Sequence, residues 1–133
     1  MLLDELTSSE KKAFWNIANV LAASDGRVIE EESILKQYSE EMGVDYEFVD
    51  PSSVDLKNEL TALKASALRS RKIIYFELFG VAYADTDLDE KELGLLNEVS
   101  AALEIGPEVR ASLENIIKSI FDSYKDLGNV LNA

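Results

Sequence analysis

The sequence predicts an all-α protein, a single-domain helical bundle of two pseudo-symmetric helix-turn-helix repeats. Three observations predict it. Apolar residues recur at three- and four-residue spacing along most of the chain, the period of an amphipathic helix. Strand-like alternation is nearly absent, and only two prolines and six glycines punctuate 133 residues. The chain also matches itself when displaced by 60 positions.

The elements follow in order. Thr7-Ser8-Ser9-Glu10 reads as a capping box, and Phe14, Ile17, Ala18, Leu21 and Ala22 then form one apolar stripe, predicting a helix to about Ser24. Asp25-Gly26-Arg27 is a turn. A second helix is expected from near Glu30, with Ile34, Leu35, Tyr38 and Met42 inward and Gly43 closing it. The stretch of about 45–53, with Asp50-Pro51-Ser52-Ser53, carries turn chemistry and is the expected linker between two halves. Val54, Leu56, Leu60 and Leu63 resume a helical pattern.

From Arg71 a strongly apolar helix is expected, with Ile74, Leu78, Val81 and Ala82 beside Tyr75, Phe79 and Tyr83; a helix apolar over most of its circumference belongs at the centre. Phe14 and Trp15 join those aromatics as core. Asp89-Glu90-Lys91-Glu92 supplies a second capping box before Leu93, Leu96, Val99 and Leu103. Gly106-Pro107 opens a last helix over about 107–125, with Val109, Leu113, Ile116, Ile117, Ile120, Phe121 and Tyr124 as its buried face and the tail after Gly128 frayed.

The repeat units span about 10–43 and 70–104. Displacement by 60 aligns Ala22, Asp25, Glu30 and Glu32 with the identical Ala82, Asp85, Glu90 and Glu92, and Trp15 with Tyr75. Each unit puts an aspartate in its turn and a glutamate seven residues later. Side chains lean toward a helix N-terminus, so Glu32 and Glu92 lean back toward Asp25 and Asp85. With Asp87, these carboxylates are a candidate site for a hard divalent cation, calcium or magnesium, which takes oxygen ligands. The same residues are also ordinary helix caps, which a duplication would copy as faithfully. An EF-hand is excluded, because Glu90 stands where that loop needs glycine and Leu96 where it needs the bidentate glutamate.

Composition narrows function further. Hydrophobic residues make up 47% and charged residues 29%, the balance of a globular domain. Twenty-six acidic residues against 13 basic leave a net charge of −13, which repels phosphate backbones and anionic lipids, so neither nucleic acid nor a membrane surface is an expected partner. A protein partner is. Arg69, Arg71 and Lys72 form the concentrated basic cluster, read as a solvated helix end. There is no cysteine and no histidine, hence no thiolate nucleophile, no imidazole base and no tetrahedral zinc set. The chain is therefore expected not to be an enzyme. Acidic residues in Met1-Leu2-Leu3-Asp4-Glu5-Leu6 argue against a secretory signal, and a cytoplasmic location is expected.

The two acidic turns, Ala22-Ala23-Ser24-Asp25-Gly26-Arg27-Val28 with Glu32 and Ala82-Tyr83-Ala84-Asp85 with Glu92, resemble those of the TerB-like family of tellurite-resistance proteins, itself similar to the N-terminal domain of a membrane-anchored DnaJ-like co-chaperone. The resemblance runs from about Glu10 to Phe121. It implies an all-helical pseudo-symmetric domain, divalent-metal binding through Asp25, Glu32, Asp85 and Glu92, and work within a stress-response assembly. The alternative is a structural or co-chaperone-type interaction module without metal. Thr86, in place of the glycine expected after Asp85, and Ile29, in place of a polar cap, depart from the family pattern.

Overall fold

A computed structural model describes residues 2–24, 29–84 and 88–133. Among them are six α-helices and no strand: α1 Ser8–Ala23, α2 Ile29–Glu41, α3 Leu56–Leu63, α4 Leu68–Tyr83, α5 Glu90–Ala102 and α6 Pro107–Leu131. Short 3-10 turns at Leu3–Glu5 and Pro51–Ser53 complete the path. No described helix is long and apolar enough to cross a membrane.

The helix starts are chemically legible. Thr7 Oγ1 accepts from Glu10 N at 3.2 Å while Thr7 N donates to Glu10 Oε1 at 2.8 Å, the reciprocal pair of a capping box. Asp55 and Asp89 accept from Asn58 N and Glu92 N at 3.1 and 2.8 Å to start α3 and α5. Pro107 occupies the first turn of α6, where its missing N–H costs nothing. Gly43 follows α2 at φ +72°, a conformation that admits glycine readily.

α4 is the centre. Every residue from Ile73 to Ala82 is buried, and α1, α2, α5 and α6 all pack on it. Phe14, Trp15, Tyr75 and Phe79 are core as predicted, and Tyr83 packs at the core's edge. At Gly80 a side chain of α2 lies close against α4: a Cβ there would lie 2.7 Å from the Tyr38 hydroxyl oxygen. α1 and α4 have equal lengths and coincide under the 60-residue displacement.

The expected linker does more than connect. Trp15 Nε1 donates to the Glu47 carbonyl at 2.8 Å, Val49 N donates to Asn19 Oδ1 at 3.1 Å, and the Tyr46 and Phe48 rings stack on the Trp15 indole. The segment is thereby laid along α1, and Asp50 caps the 3-10 turn that follows.

The basic cluster divides. Arg69 forms a bidentate pair with Glu5 at 2.9 and 3.0 Å, on the surface. Arg71 donates to the carbonyls of Ser66 and Leu103 at 3.0 and 2.7 Å, closing the end of α5 against the start of α4.

The main departure from expectation is α6. Of the seven residues assigned to its buried face, only Ile117 is buried; Leu113, Ile120 and Phe121 are partly covered, and Val109, Ile116 and Tyr124 are exposed. The periodicity identifies an apolar face, but the remaining helices cover only part of it. The proximal half is anchored: Arg110 Nε donates to Glu114 Oε2 at 2.8 Å, Arg110 Nη1 reaches Asn97 and Ser100, and the Tyr75 hydroxyl donates to the same Glu114 carboxylate. From Asp122 on, every residue but Gly128 is exposed, yet the helix continues to Leu131 rather than fraying after Gly128. In α5, Leu96 and Val99 are buried and Leu93 is exposed.

The contact at Gly80 yields a stability prediction. Gly80→Ala gains about 0.5–1 kcal/mol of helix propensity but overpacks against Tyr38 at a cost of about 1–3 kcal/mol, so the substitution is expected to be net destabilising. With Tyr38→Phe present, the same change turns stabilising. Urea unfolding of the four chains of this double-mutant cycle reads both signs.

Candidate functional site

Two regions concentrate chemistry: the acidic turns, and a groove where α2, α4 and α6 meet. Of the turn residues, Asp25, Asp85 and Asp87 lie outside the described residues. Glu32, in the first turn of α2, is half-buried. Glu92, in the first turn of α5, is only 4% exposed, and its backbone N–H is held by Asp89. No group of three or more metal-ligating side chains occurs among the described residues.

The groove has a volume of about 690 Å³ and is mostly apolar. Ile34, Gln37, Tyr38 and Glu41 of α2 form one wall, Glu77 of α4 and Ile117 of α6 lie at its base, and Ile120, Phe121 and Tyr124 form the other wall. The lining follows from helical spacing. Ile34, Tyr38 and Glu41 fall on one face of α2, and Ile117, Ile120, Phe121 and Tyr124 on one face of α6. The volume lies within the range that receives several side chains or a small ligand.

Its charged lining residues are Glu41 and Glu77. Glu77 sits within the apolar run of α4 at 1% exposure. Burial pushes its carboxyl up to about 7; the chain's positive amino terminus acts against the rise and the Glu41 carboxylate adds to it. Tyr38, beside it, donates from its hydroxyl to the Glu77 carbonyl at 3.4 Å, and burial followed by the Glu77 and Glu41 charges holds that hydroxyl well above the ordinary tyrosine range. The groove is therefore an apolar trough with acid at its base and along one wall.

Glu77 and the groove were not singled out from the sequence, although a signal existed: one glutamate in the middle of the run Ile73-Ile74-Tyr75-Phe76-Glu77-Leu78-Phe79 must be buried if that helix is central. No family model, curated protein or solved structure matches the chain.

The raised Glu77 fixes a pH dependence. A carboxyl whose folded pKa exceeds its unfolded value favours the folded state fully below about 4.5, and that contribution is lost as pH rises to about 7. Replacing it by glutamine removes the loss. Glu77→Gln is expected to match the native chain in stability near pH 4.5 and to exceed it by up to about 3 kcal/mol above pH 7, since each tenfold change in proton affinity is worth about 1.4 kcal/mol. Denaturant unfolding of both chains across that range is the measurement; parallel curves would contradict it.

Proposed function

We propose that this chain is a non-enzymatic protein-interaction module and that the groove between α2, α4 and α6 receives a helix of a protein partner. The observation that carries the reading is the incomplete cover of α6: its apolar face forms one wall of the groove and continues beyond it. Exposed apolar surface that is contiguous and rimmed by polar groups is characteristic of interaction sites. Helix-in-groove recognition uses anchors at i, i+3, i+4 and i+7, and a trough walled by two helices suits it. The acidic lining favours a ligand carrying lysine or arginine beside its apolar anchors.

The test is selection from a displayed library of amphipathic helical peptides. Retained peptides are expected to carry a basic residue, and Tyr124→Ala, which is surface-exposed and so leaves the fold intact, is expected to weaken them about tenfold or more. A selection yielding no peptide sensitive to Tyr124 or Glu41 would sink the reading.

A second reading, a TerB-like domain holding calcium or magnesium in its acidic turns, is supported by the burial of Glu92 at the start of α5 and by the equal lengths and 60-residue displacement of α1 and α4, which favour a true repeat. Here the measurement is thermal unfolding after chelation and with each cation restored. A cation at a hundredfold excess over its dissociation constant adds about 2.7 kcal/mol, and Asp25→Asn with Asp85→Asn abolishes the rise. An unchanged midpoint with every cation assigns these carboxylates to capping alone.

A further inference from the structure

We propose that a second groove, between α4 and the other flank of α6, binds a long-chain carboxylate, with one anionic head and one unbranched apolar tail. This groove is separate from the one assigned above to a partner helix and goes beyond that reading. Its volume is about 620 Å³, within the range of small-ligand sites. Leu68, Arg69, Lys72, Ile73 and Phe76 of α4 line one side, and Leu113 and Ile116 of α6 line the other. Among the described residues no acid lines it, whereas the first groove carries two acids and no base. Ile73 and Phe76 are buried, but Leu68 and Ile116 are 47% and 50% exposed, apolar surface that a tail would cover.

The placement of charge selects the ligand. α4 carries three bases against one acid, in a chain with twice as many acids as bases, and all three bases stand in its first five residues. Two of them are engaged: Glu5 takes Nε and Nη2 of Arg69, and the Ser66 and Leu103 carbonyls take Arg71. Lys72 forms no ion pair or hydrogen bond among the described residues. The groove therefore offers one uncompensated ammonium near the start of α4, and the lining from there to Phe76 is apolar, along a wall of about 12 Å from Leu68. A cation at one end and apolar side chains beyond it match a head and a tail. An acidic amphipathic helix would instead bring carboxylates spaced along its length, and its several charges would meet the repulsion of a chain at −13, where a monoanion brings only one.

The start of α4 also lacks its usual anionic complement. No acid stands in its first turn, and Ala67 at the N-cap makes no side-chain hydrogen bond. Basic side chains near the positive end of a helix are held there at an electrostatic cost, which a carboxylate beside Lys72 relieves.

Heteronuclear NMR titration of the full chain with octanoate, decanoate and dodecanoate, each below its micelle-forming concentration, tests the proposal. Saturable binding at one site is expected, tightening about fourfold with each added methylene, and decanoate is expected to bind about tenfold more tightly than uncharged decanol. Lys72→Met keeps the apolar stem and removes the charge; it is expected to weaken decanoate about tenfold and leave decanol unchanged. Ile116→Ser, at a half-exposed position, is expected to weaken both ligands, and Tyr124→Ala in the first groove neither. Absence of saturable binding, equal affinity for decanoate and decanol, or a Lys72→Met chain that binds decanoate like the native one overturns the proposal. Binding that falls with Tyr124→Ala and not with Ile116→Ser places the carboxylate in the first groove and overturns it as well; none of these outcomes bears on the partner-helix reading, which the selected peptides test separately.

Discussion

The structure depends on enclosing α4. Ten consecutive residues of one helix are buried, so neighbours must stand on every side of it, and α1, α2, α5 and α6 take those places. Burial of large apolar and aromatic side chains at roughly 25 cal/mol per Å² is the dominant favourable term available to a chain with no disulfide. The same enclosure fixes the groove. α2 approaches close enough at Gly80 to bring Tyr38 against the α4 backbone, and α6 is held by the Arg110–Glu114–Tyr75 cluster; the space left between them is the groove.

Enclosing α4 also has an electrostatic cost, at Glu77. Burial beside Tyr38, Ile117 and the apolar residues of its own helix pushes the Glu77 carboxyl up, the amino terminus acts against that rise, and the Glu41 charge adds to it. A leucine at that position would pack without such a penalty.

Much of this was legible in the sequence, for reasons that differ by element. The start of α1 was readable because Thr7 and Glu10 form a box whose two hydrogen bonds are local, and the centrality of α4 because a helix apolar on most sides has nowhere else to go. The docking of the 45–53 segment was not, because an irregular stretch has no period; among the groups that hold it are one indole N–H and one asparagine, each more than 29 residues away in sequence. The overhang of α6 was not, because periodicity shows that a face is apolar without showing what covers it. As for the acidic turns, three of the five candidate ligands fall outside the described residues, while Glu92 is buried at the start of α5.

The manner in which Trp15 is covered carries a further consequence. The only tryptophan of the chain is completely enclosed, yet one side of its enclosure is an extended stretch of backbone, with Glu47 accepting from the indole and Tyr46 and Phe48 lying over its face. Segments held by few hydrogen bonds open locally at lower free energy than the core helices beneath them. The indole therefore acts as a built-in optical gauge of that stretch: lifting residues 46–48 would wet the ring and shift its emission to the red while the helical signal stayed whole, separating a local opening from global unfolding.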